Sequence, residues 1–493
     1  MQLIWFRNDL RSLDHAGLHH ALNTAEPVVG IFVATESQWQ QHDMASIKRD
    51  FIYQRVVDLA KKLAKLNIPL IIQTVDNYQQ SVEVITDCCQ QYPVNAVHIC
   101  HDYELNEQQR DSLCQQQLDK LNIKLYGYHD NLIFAPNQIT KADGDYYKVF
   151  TAFKKQWLNA FHQQMPVCFA KPKPQQADFS KYPKLYQQLE LALHQADKID
   201  SQLEQIKTVF DYQSEQVANW QDYFICQESQ ILERLRRFCK EQVADYKKQR
   251  DFPLLDATSC LSPYLAVGSI SPRQAINRLI AEQGDDVFSA ESGSATWLSE
   301  LIWREFYRHL TAVYPKISKG FAVKSEYQNL NWQNDKTQFK AWCEGKTGFP
   351  IVDAAMRQLN QTGWMHNRLR MITASFLVKD LQINWRWGEQ YFMRQLIDGD
   401  YAANNGGWQW SASTGHDAAP YFRVFNPTTQ SERFDPKGLF IKKYCPELEA
   451  VPQKYIHQPH AFLKQIKAGG DYPAPLVEHK VARQITLQMY REV

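Results

Sequence analysis

The chain opens with the stretch MQLIWFRNDLR, residues 1–11, in which a short apolar run leads directly into charged residues. Similar apolar runs recur before residue 130, and amphipathic stretches such as Phe51–Leu66 and Glu107–Leu121 separate them. The five runs are Leu3–Phe6, Val28–Ala34, Leu70–Val75, Ala96–Cys100 and Lys124–Tyr128. Buried strands that alternate with helices are typical of a doubly wound parallel sheet. We therefore predict an α/β domain over residues 1–130.

Glycine is scarce in this first domain, which contains only Gly17, Gly30 and Gly127. The G-x-G-x-x-G phosphate fingerprint is therefore absent. The domain is predicted to be Rossmann-like in architecture without binding NAD.

The composition changes after residue 130. Residues 131–224 are predicted to be an interdomain connection, because the stretch 163–221 is rich in Gln, Lys and Pro and includes KPKP at 171–174. Some helix is expected around Tyr186–Leu203, and the remainder is expected to wrap on the surface. From Ile225 onward helical periodicity dominates, so residues 225–493 are predicted to form an all-helical domain.

The bulk composition excludes several classes of protein. The 493 residues are too many for one compact core, and 44% hydrophobic residues exclude a disordered chain. No run of eighteen apolar residues and no signal peptide is present, so a cytoplasmic protein of bacterial type without membrane attachment is expected. The ten cysteines are scattered without a C-x-x-C pair, so neither a metal site nor a disulfide framework is predicted.

Arginine is distributed unevenly along the chain. The formal net charge is only +1, so a nucleic-acid partner requires a local basic patch. Five arginines precede residue 230 and seventeen follow it. Because the guanidinium fork matches phosphate oxygens, this skew favours contacts with nucleic acid in the second half. Solvated helix faces with ion pairs are the alternative for any single arginine.

The motifs of common catalytic machinery are missing. The chain contains neither H-E-x-x-H nor G-x-S-x-G. EGKT at 344–347 ends like a phosphate-binding loop, but Lys340 stands where the first glycine of that loop belongs. Enzymes with such sequences often take their chemistry from a cofactor. A binding module is the alternative.

A first segment with a specific pattern runs from Tyr246 to Pro263. Thr258, Ser259 and Ser262 put hydroxyl groups beside the expected start of a helix, where side-chain and backbone donors can hold a phosphate. The alternative is an ordinary N-cap with Pro263 at the first helical position.

A second segment places polar and aromatic residues on one helical face, with the spacing i, i+3, i+6, i+7 and i+10. These residues are Trp297, Glu300, Trp303, Arg304 and Tyr307. Such a stripe suits a flat ring system with polar edges. The alternative is a surface pair between Glu300 and Arg304 beside aromatic core residues.

A third segment extends to Trp410 and carries many polar groups beside tryptophans. One helical face of it holds Asn367, Arg370, Met371 and Ala374. The pieces DGD at 398–400 and NNGG at 404–407 are predicted to be turns. A structural loop is the alternative here. The nine tryptophans between Trp297 and Trp410 are equally consistent with a large apolar interior.

Taken together, these segments resemble the photolyase–cryptochrome family. The resemblance rests on WREFY at 303–307, PIVDAAMR at 350–357, the stretch from there to Trp410, and the opening WFRNDLR at 5–11. It covers almost the whole chain and is weakest between about 165 and 225. It implies an N-terminal α/β antenna domain and a C-terminal all-helical domain that holds a U-shaped FAD.

The resemblance implies a set of FAD contacts. The residues expected at the diphosphate and ribityl chain are Tyr246, Thr258, Ser259, Leu261 and Ser262. Those expected around the flavin and adenine are Trp297, Arg304, Asn367, Arg370, Asp398, Asp400 and Asn404. Asn404 is expected to face flavin N5, a position that the family links to fully reduced, anionic FADH⁻. Cys260 replaces the basic residue of many relatives, so backbone donors and hydroxyls are expected to hold the diphosphate.

The family divides by lesion, and this chain resembles its class I branch, which repairs cyclobutane pyrimidine dimers. Relatives that repair (6-4) lesions have histidines where this chain has Asn367 and Met371. The resemblance implies electron transfer from excited reduced FAD to a dimer flipped out of UV-damaged DNA, without a metal. The expected substrate contacts are Arg250, Glu300, Trp303, Asn367, Arg368, Met371, Trp410 and Arg423. The alternative is a blue-light signalling cryptochrome that does not repair DNA.

Two further features follow from the same resemblance. Trp408, Trp385 and Trp332 match the tryptophan chain that photoreduces oxidised flavin. The positions lining the methenyltetrahydrofolate antenna pocket of relatives are matched by His42, Asn106, Glu107 and Lys319, although Ser318 replaces an expected cysteine. The protein is expected to be a monomer without an obligate protein partner.

Overall fold

The structure is a computed structural model that describes residues 1–207, 219–466 and 472–493. The part of the predicted interdomain connection at 208–218 lies outside the described residues.

The N-terminal domain is built on a five-stranded, fully parallel sheet of order β3-β2-β1-β4-β5. The strands are β1 Gln2–Phe6, β2 Val28–Thr35, β3 Leu70–Val75, β4 Ala96–Cys100 and β5 Lys124–Tyr128. All five coincide within one residue with the apolar runs of the sequence, which confirms the doubly wound prediction. The order reverses between β1 and β4, since the chain first adds strands on one side of β1 and then on the other.

Burial differs between the central strands and the edge strands. Every residue of β1, β2 and β4 is buried. The prediction of buried strands is wrong for β3 and β5, where Gln73, Thr74, Lys124 and Tyr126 are exposed. Each of these strands has a neighbour on one side only, so part of its surface stays in contact with water.

Helices cover both faces of the sheet. They are α1 Ala16–Leu22, α2 Glu36–Gln41, α3 Ser46–Ala64, α4 Tyr78–Gln91 and α5 Leu105–Lys120. The two helical patterns predicted at Phe51–Leu66 and Glu107–Leu121 are confirmed in α3 and α5, although α3 begins five residues earlier.

Three helices follow before residue 207: α6 Phe150–Gln163, α7 Pro183–His194 and α8 Ala196–Ile206. The helix expected around Tyr186–Leu203 is confirmed in α7 and α8. α7 packs against α3 and β3 and buries Leu185 and Leu189, so this stretch extends the core of the first domain. The helix α6 had no counterpart among the sequence predictions.

The second half of the chain is helical, and the described residues after 225 contain no strand. Its helices are α9 Glu228–Arg237, α10 Tyr246–Gln249, α11 Ser262–Ala266, α12 Pro272–Gln283, α13 Gly293–Val313, α14 Lys336–Cys343, α15 Pro350–Thr362, α16 Asn367–Ser375, α17 Trp385–Gln395, α18 Tyr401–Ser411, α19 Pro427–Phe434, α20 Leu439–Tyr444, α21 His460–Gln465 and α22 His479–Arg491. No helix in the described part of the chain is long and apolar enough to span a lipid bilayer.

The two halves meet through buried polar groups of the turn after β1. Arg11 is fully buried, donates to the carbonyl oxygen of Gly268 at 3.0 Å and forms an ion pair with Asp130. Asp14 is also buried and pairs with Arg273 at 3.1 Å. Gly268 has φ +66°, and a Cβ there would lie 2.0 Å from the carbonyl oxygen of Asn8, so this contact requires glycine. The packing of the two domains therefore depends on these particular residues.

Candidate functional site

Four elements of the helical domain surround the candidate site. α13 packs against both α10 and α18, and α16 also contacts α18. These are the helices that carry the second and third sequence segments, with Tyr246 on α10. The fold therefore brings together residues that lie up to 164 positions apart, between Tyr246 and Trp410.

The stripe predicted on Trp297–Tyr307 lies on α13, which begins after an N-cap, Ser292, whose hydroxyl accepts from the backbone N–H of Ala295 at 2.9 Å. Trp297 is buried against Phe238, with ring centroids 5.1 Å apart. Glu300 and Trp303 are half-buried. The middle of the stripe is thus accessible to solvent, whereas its N-terminal end is buried.

The acid and the base of this stripe have different partners. Nη1 of Arg250 donates to Oε1 of Glu300 at 2.5 Å. Arg304 instead donates to the carbonyl oxygens of Asn131 and Leu265 at 2.8 and 3.1 Å. The alternative of a surface Glu300–Arg304 pair is therefore wrong. Burial, reinforced by the nearby cation Arg308, lowers the pKa of Arg304 to about 9.

α16 presents three of its predicted residues on the accessible side. Nη2 of Arg370 donates to both carboxylate oxygens of Asp398, at 2.7 and 3.0 Å, which joins the two predicted flavin contacts. Asn367 is the exposed first residue of the helix. Arg368 forms an ion pair with Asp251 at 2.8 Å, and its guanidinium carbon lies 4.5 Å from the ring centre of Phe434.

The NNGG piece at 404–407 is helical, so its prediction as a turn is wrong. It lies inside α18, where the Asp400 carboxylate accepts from the backbone N–H of Ala403 at 3.1 Å and caps the helix. A Cβ on Gly406 would lie 2.2 Å from the ring of Tyr307, so glycine permits α18 to approach α13 closely. Tertiary packing outweighs the turn preference of Asn and Gly here. DGD at 398–400 is outside the helix, as predicted.

A buried carboxyl group lies directly behind Asn404. Nδ2 of Asn404 donates to the backbone oxygen of Glu389 at 3.0 Å, and Nδ2 of Asn405 donates to its Oε1 at 2.7 Å. Burial raises the pKa of Glu389 to about 7. Glu389 fixes both amides of the Asn pair, and no sequence motif pointed to it, because its partners lie 15 and 16 residues away on another helix.

The hydroxyl groups of Thr258, Ser259 and Ser262, in the loop before α11 and at its first residue, make only long polar contacts. Ser262 Oγ accepts from Nε1 of Trp364, and Ser259 Oγ accepts from the backbone N–H of Leu261, both at 3.4 Å. The hydroxyl oxygen of Thr258 is 3.4 Å from the sulfur of Cys260, whose φ of +48° is left-handed. α11 begins at Ser262 itself, and the cap residue is Leu261, so the alternative of a serine N-cap is wrong.

This region has the features expected around a large polar cofactor. Apart from its chain neighbours and the backbone of α18, no atom of the described residues lies within 4 Å of a Cβ built on Gly407, one turn along the helix from Asn404. Within the described part of the chain, the buried Nε2 of His366 and Nε of Arg368 have no hydrogen-bond partner. Open space, unpaired donors and the long bonds of the hydroxyls fit a group with a flat ring system and phosphates.

Four of the residues predicted to contact DNA are accessible to solvent. Trp303, Met371 and Trp410 are half-buried, and Arg423 is exposed. The Trp303 ring is covered on one face by Phe150 of α6, with ring centroids 3.6 Å apart and planes 9° from parallel. Sequence reasoning missed Phe150, because the contact joins positions 153 residues apart without a local signal.

The three tryptophans predicted to form a chain lie in one apolar cluster. Trp385 is fully buried, Trp408 is 2% exposed, and Trp332 is half-buried at the edge of the cluster. A Cβ on Gly388 would lie 2.1 Å from the Trp408 ring, so this glycine allows the indole to pack closely against α17. Burial thus decreases from Trp385 and Trp408 towards Trp332.

A cavity of about 480 Å³ lies between the two domains. It is bordered by the carboxyl ends of β1, β2 and β4, which include the point where the strand order reverses, the usual ligand position in such sheets. All four residues of the predicted antenna pocket line it: His42, Asn106, Glu107 and Lys319. Asp400, predicted to contact flavin or adenine, lines this cavity as well and pairs with Arg308.

Three of the four predicted antenna residues, His42, Asn106 and Glu107, are joined by polar contacts. Nε2 of His42 lies 2.8 Å from Nδ2 of Asn106, and the Tyr78 hydroxyl donates to Oε1 of Glu107 at 2.7 Å. Burial opposes ionisation of Glu107, but hydrogen bonds from His42 and Tyr78 outweigh it and hold the pKa of this carboxyl below its usual value. Its Oε2 is buried without a partner among the described residues. Ser318 accepts from the backbone N–H of Leu105 at 3.3 Å.

Comparison with known proteins matches both halves. Residues 2–174 match the family model described as DNA photolyase, and residues 297–492 match that described as FAD binding domain of DNA photolyase. Deoxyribodipyrimidine photo-lyases of Vibrio cholerae and Escherichia coli are 47% and 44% identical to this chain. These alignments cover 100% and 99% of this chain and 99% and 98% of the relatives.

Solved structures agree with the sequence comparisons. A bacterial class III photolyase from Agrobacterium tumefaciens superposes with a TM-score of 0.81 at 30% identity, covering 100% of this chain and 97% of the other. A Synechocystis cryptochrome gives the same TM-score at 28% identity, covering 99% of both chains. Fold and site thus define a two-domain flavoprotein with an α/β sheet domain and a helical FAD-binding domain. The chain belongs to the DNA photolyase family.

Proposed function

We propose that the protein is a deoxyribodipyrimidine photo-lyase, which repairs cyclobutane pyrimidine dimers in DNA in a reaction driven by blue or near-ultraviolet light. The structural observation that carries this proposal is that α13 presents both the half-buried Trp303 and, one turn earlier, Glu300 in an ion pair with Arg250. Full-length relatives at 44–47% identity bear that name.

Residues of the helical domain hold the FAD. The hydroxyls of Thr258, Ser259 and Ser262, with Tyr246 and Leu261, are proposed to bind its diphosphate and ribityl chain. The flavin and adenine are proposed to contact Trp297, Arg304, Asn367, Arg370, Asp398, Asp400 and Asn404. Bound there in its reduced, anionic form, FAD would supply the light-driven electron transfer that opens the cyclobutane ring. Asn404, held by Glu389, supports the anionic assignment because it is fixed at the open side of α18.

The lesion is recognised after it has flipped out of the DNA double helix. A dimer stacks poorly, so flipping it out of the duplex costs less than flipping intact bases. Trp303 and Trp410 wall the pocket, where stacking on an aromatic ring contributes about 1–3 kcal/mol per base. Glu300 and Asn367 are proposed to bond the pyrimidine edges beside Met371. Arg250, Arg368 and Arg423 are proposed to contact phosphates or the rim of the lesion.

The tryptophan cluster is proposed to reduce oxidised flavin. Trp408, Trp385 and Trp332 lie in one packed cluster, and their burial decreases from the interior to the surface. This cluster is proposed to carry an electron from the protein surface to the oxidised flavin, and to take no part in the repair step.

The cavity between the domains is proposed to hold 5,10-methenyltetrahydrofolate as a light-harvesting antenna. Polar groups in the cavity come from His42, Asn106, Glu107 and Lys319. The buried Oε2 of Glu107 has no hydrogen-bond donor among the described residues, so it can accept a hydrogen bond from a ligand. Glu107→Ala should abolish the near-ultraviolet band of bound folate after reconstitution, whereas Gln109→Ala on the exposed side of α5 should retain it. Failure of the wild-type protein to bind folate would overturn the proposal.

Direct repair tests the main proposal. The purified, chemically reduced protein should restore thymine absorbance to a UV-damaged oligonucleotide under blue light, also in the presence of a metal chelator. Repair in the dark, or loss of repair with the chelator, would contradict this mechanism. Absence of repair from a protein with full FAD content would favour a signalling cryptochrome. The monomeric state, the absence of an obligate partner and the cytoplasmic location stay predictions.

A further inference from the structure

Helix α6 lies before the helical domain in the chain, yet it packs on the wall of the lesion pocket. Phe150, at its first position, stacks on Trp303 with ring centroids 3.6 Å apart and an interplanar angle of 9°. Phe306 and Tyr307 border the same indole at 5.6 and 5.5 Å. One face of Trp303 is therefore covered, and the indole is held in a single plane.

The helix α6 is anchored independently of this stack. Nε1 of Trp157 donates to Oε1 of Glu305 at 2.8 Å, and Nζ of Lys154 donates to the Ser299 hydroxyl at 2.6 Å. Phe153 packs on Phe306 at 5.2 Å, one turn from the Trp303 contact. Substituting Phe150 alone therefore leaves α6 attached to α13.

A second contact ties the start of α6 to the loop after α18. The backbone N–H of Phe150 donates to Oδ2 of Asp417 at 3.1 Å, so a carboxylate 267 residues away caps this helix. Two residues beyond, the backbone N–H of Ala419 donates to the carbonyl oxygen of Trp410 at 3.2 Å. The same loop continues to the exposed Arg423.

We infer that Phe150 and Asp417 are positioning residues for the pyrimidine dimer: the stack on Trp303 and the cap on α6 fix the indole plane and the loop before Arg423 in the arrangement that accepts the lesion. This inference rests on the proposed function and adds to it the source of the pocket's rigidity. Neither residue touches the bases, because Phe150 lies behind Trp303 and Asp417 faces the α6 backbone.

The physical reason is preorganisation. An indole that is free to rotate must be ordered when the dimer binds, and ordering one side chain weakens binding on the order of threefold to tenfold. Undamaged DNA does not enter the pocket and contacts the basic rim alone. The loss should therefore fall on the dimer-containing DNA.

The experiment measures the affinity of the FAD-loaded protein for matched duplex oligonucleotides with and without one thymine dimer. Phe150→Leu should weaken binding of the dimer DNA on the order of threefold to tenfold and leave undamaged DNA unchanged. Repair per absorbed photon at saturating dimer DNA should stay at the wild-type value. Phe150→Tyr, which keeps a flat ring, should retain the wild-type ratio of the two affinities.

Two further variants separate positioning from general packing. Phe153→Leu removes a similar ring volume from the same helix without touching Trp303, and its affinity ratio should equal that of the wild type. Asp417→Ala should lower the ratio about threefold, and Asp417→Asn, whose amide oxygen still accepts the cap bond, should restore it.

An unchanged ratio in Phe150→Leu, or an equal fall in Phe153→Leu, would overturn the inference. If Phe150→Leu loses its FAD, the test rests on Asp417→Ala. An unchanged ratio of the affinities for dimer-containing and undamaged DNA in Asp417→Ala would also overturn the inference. A wild-type protein that does not prefer dimer DNA would refute the proposed function instead. A wild type that discriminates, with variants that discriminate equally well, would refute this inference alone.

Discussion

At the scale of single residues, the Trp408 indole is placed by a glycine on another helix. Gly388 leaves room for its ring, and Trp408 packs at 5.0 Å from Phe392 in a buried cluster. The proposed pocket for the lesion lies elsewhere, on the sides of α13 and α18 that carry Trp303 and Trp410. The roles proposed for Trp408 in flavin reduction and for Trp303 in repair are therefore expected to be separable.

Trp408→Phe should block the photoreduction of oxidised FAD, since phenylalanine fills the site without an oxidisable indole. Repair by the chemically reduced variant should stay close to the wild-type rate. Absorption spectra during illumination measure the first effect, and thymine absorbance measures the second. Equal loss of both activities would make Trp408 a structural residue or a substrate contact.

Glu389 is the residue whose ionisation should make stability depend on pH. Burial raises the pKa of its carboxyl from 4.5 to about 7. Between these values the unfolded chain releases the proton while the folded protein keeps it. The free energy of unfolding therefore falls as the pH rises through this window and stays lower above it.

Glu389→Gln should remove this loss, because the amide oxygen can still accept from Asn405 and carries no charge. At pH 8 the variant should melt at a higher temperature relative to the wild type than it does at pH 5, with both proteins at equal FAD occupancy. Glu432→Gln, an exposed substitution on α19, is the control and should show no such difference. A variant that is less stable than the wild type by the same amount at both pH values would contradict the assignment.

At the scale of elements, α18 shows two glycines with opposite requirements. A Cβ on Gly406 meets Tyr307 of α13, whereas a Cβ on Gly407 meets no described atom within 4 Å. Alanine generally stabilises a helix interior relative to glycine by about 0.5–1 kcal/mol. The sign of each substitution thus depends on the space beside it.

Gly406→Ala should destabilise the protein by about 1–3 kcal/mol, since α18 must move away from α13 to relieve the overlap. Gly407→Ala should stabilise the FAD-free protein slightly and weaken FAD binding, because the methyl group enters the open space. Urea unfolding of the FAD-free proteins and flavin fluorescence titrations test both expectations. If Gly407→Ala binds FAD as the wild type does, the cofactor does not lie against this part of α18.

The same helix shows what local sequence could not predict. Two asparagines followed by two glycines favour a turn, but the Asp400 cap and the contact of Gly406 with Tyr307 make the stretch helical. The strands, by contrast, were predicted within one residue, because continuous apolar runs are a local signal of buried parallel strands. The exposed edges of β3 and β5 depend on strand order, which the runs alone do not encode.

Long-range partners limit the prediction of the site in a similar way. The stripe on α13 was predicted from spacing and lies on one helix, and the four residues predicted from family resemblance to line the antenna pocket border one cavity. Phe150, Asp417 and Glu389 were missed, since each acts through a contact with a distant part of the chain. Arg304 had a periodic partner in Glu300, yet it bonds two backbone carbonyls instead.

At the scale of the whole molecule, recognition of damage combines two surfaces. Arg423 lies exposed on the rim and is proposed to grip the DNA backbone, which is the same in damaged and intact DNA. Trp303 lies half-buried in the pocket and is proposed to meet only a flipped base. Backbone contacts weaken with salt, with log K falling by about 0.9 per phosphate neutralised on duplex DNA.

Arg423→Ala should weaken damaged and undamaged DNA by similar factors and flatten the salt dependence of both. Trp303→Ala should cost about 1–3 kcal/mol for dimer-containing DNA and almost nothing for undamaged DNA. Titrations of both variants against both DNAs at several salt concentrations distinguish these effects. If Trp303→Ala weakens both DNAs equally, discrimination does not arise in the pocket.

The buried polar interface between the domains has a consequence for how the protein is made. Asp130 leaves the ribosome about 140 residues before its partner Arg273, and Asp14 leaves it about 260 residues before. At translation rates of about 5–20 residues per second, the interval between the synthesis of these aspartates and that of Arg273 is on the order of ten seconds or more. Until Arg273 emerges, Asp14 lacks this cation and Asp130 has only Arg11 as an ionic partner among the described residues, on a surface that is later buried. The nascent N-terminal domain is therefore expected to bind chaperones, and to complete its folding only when the C-terminal domain packs against it.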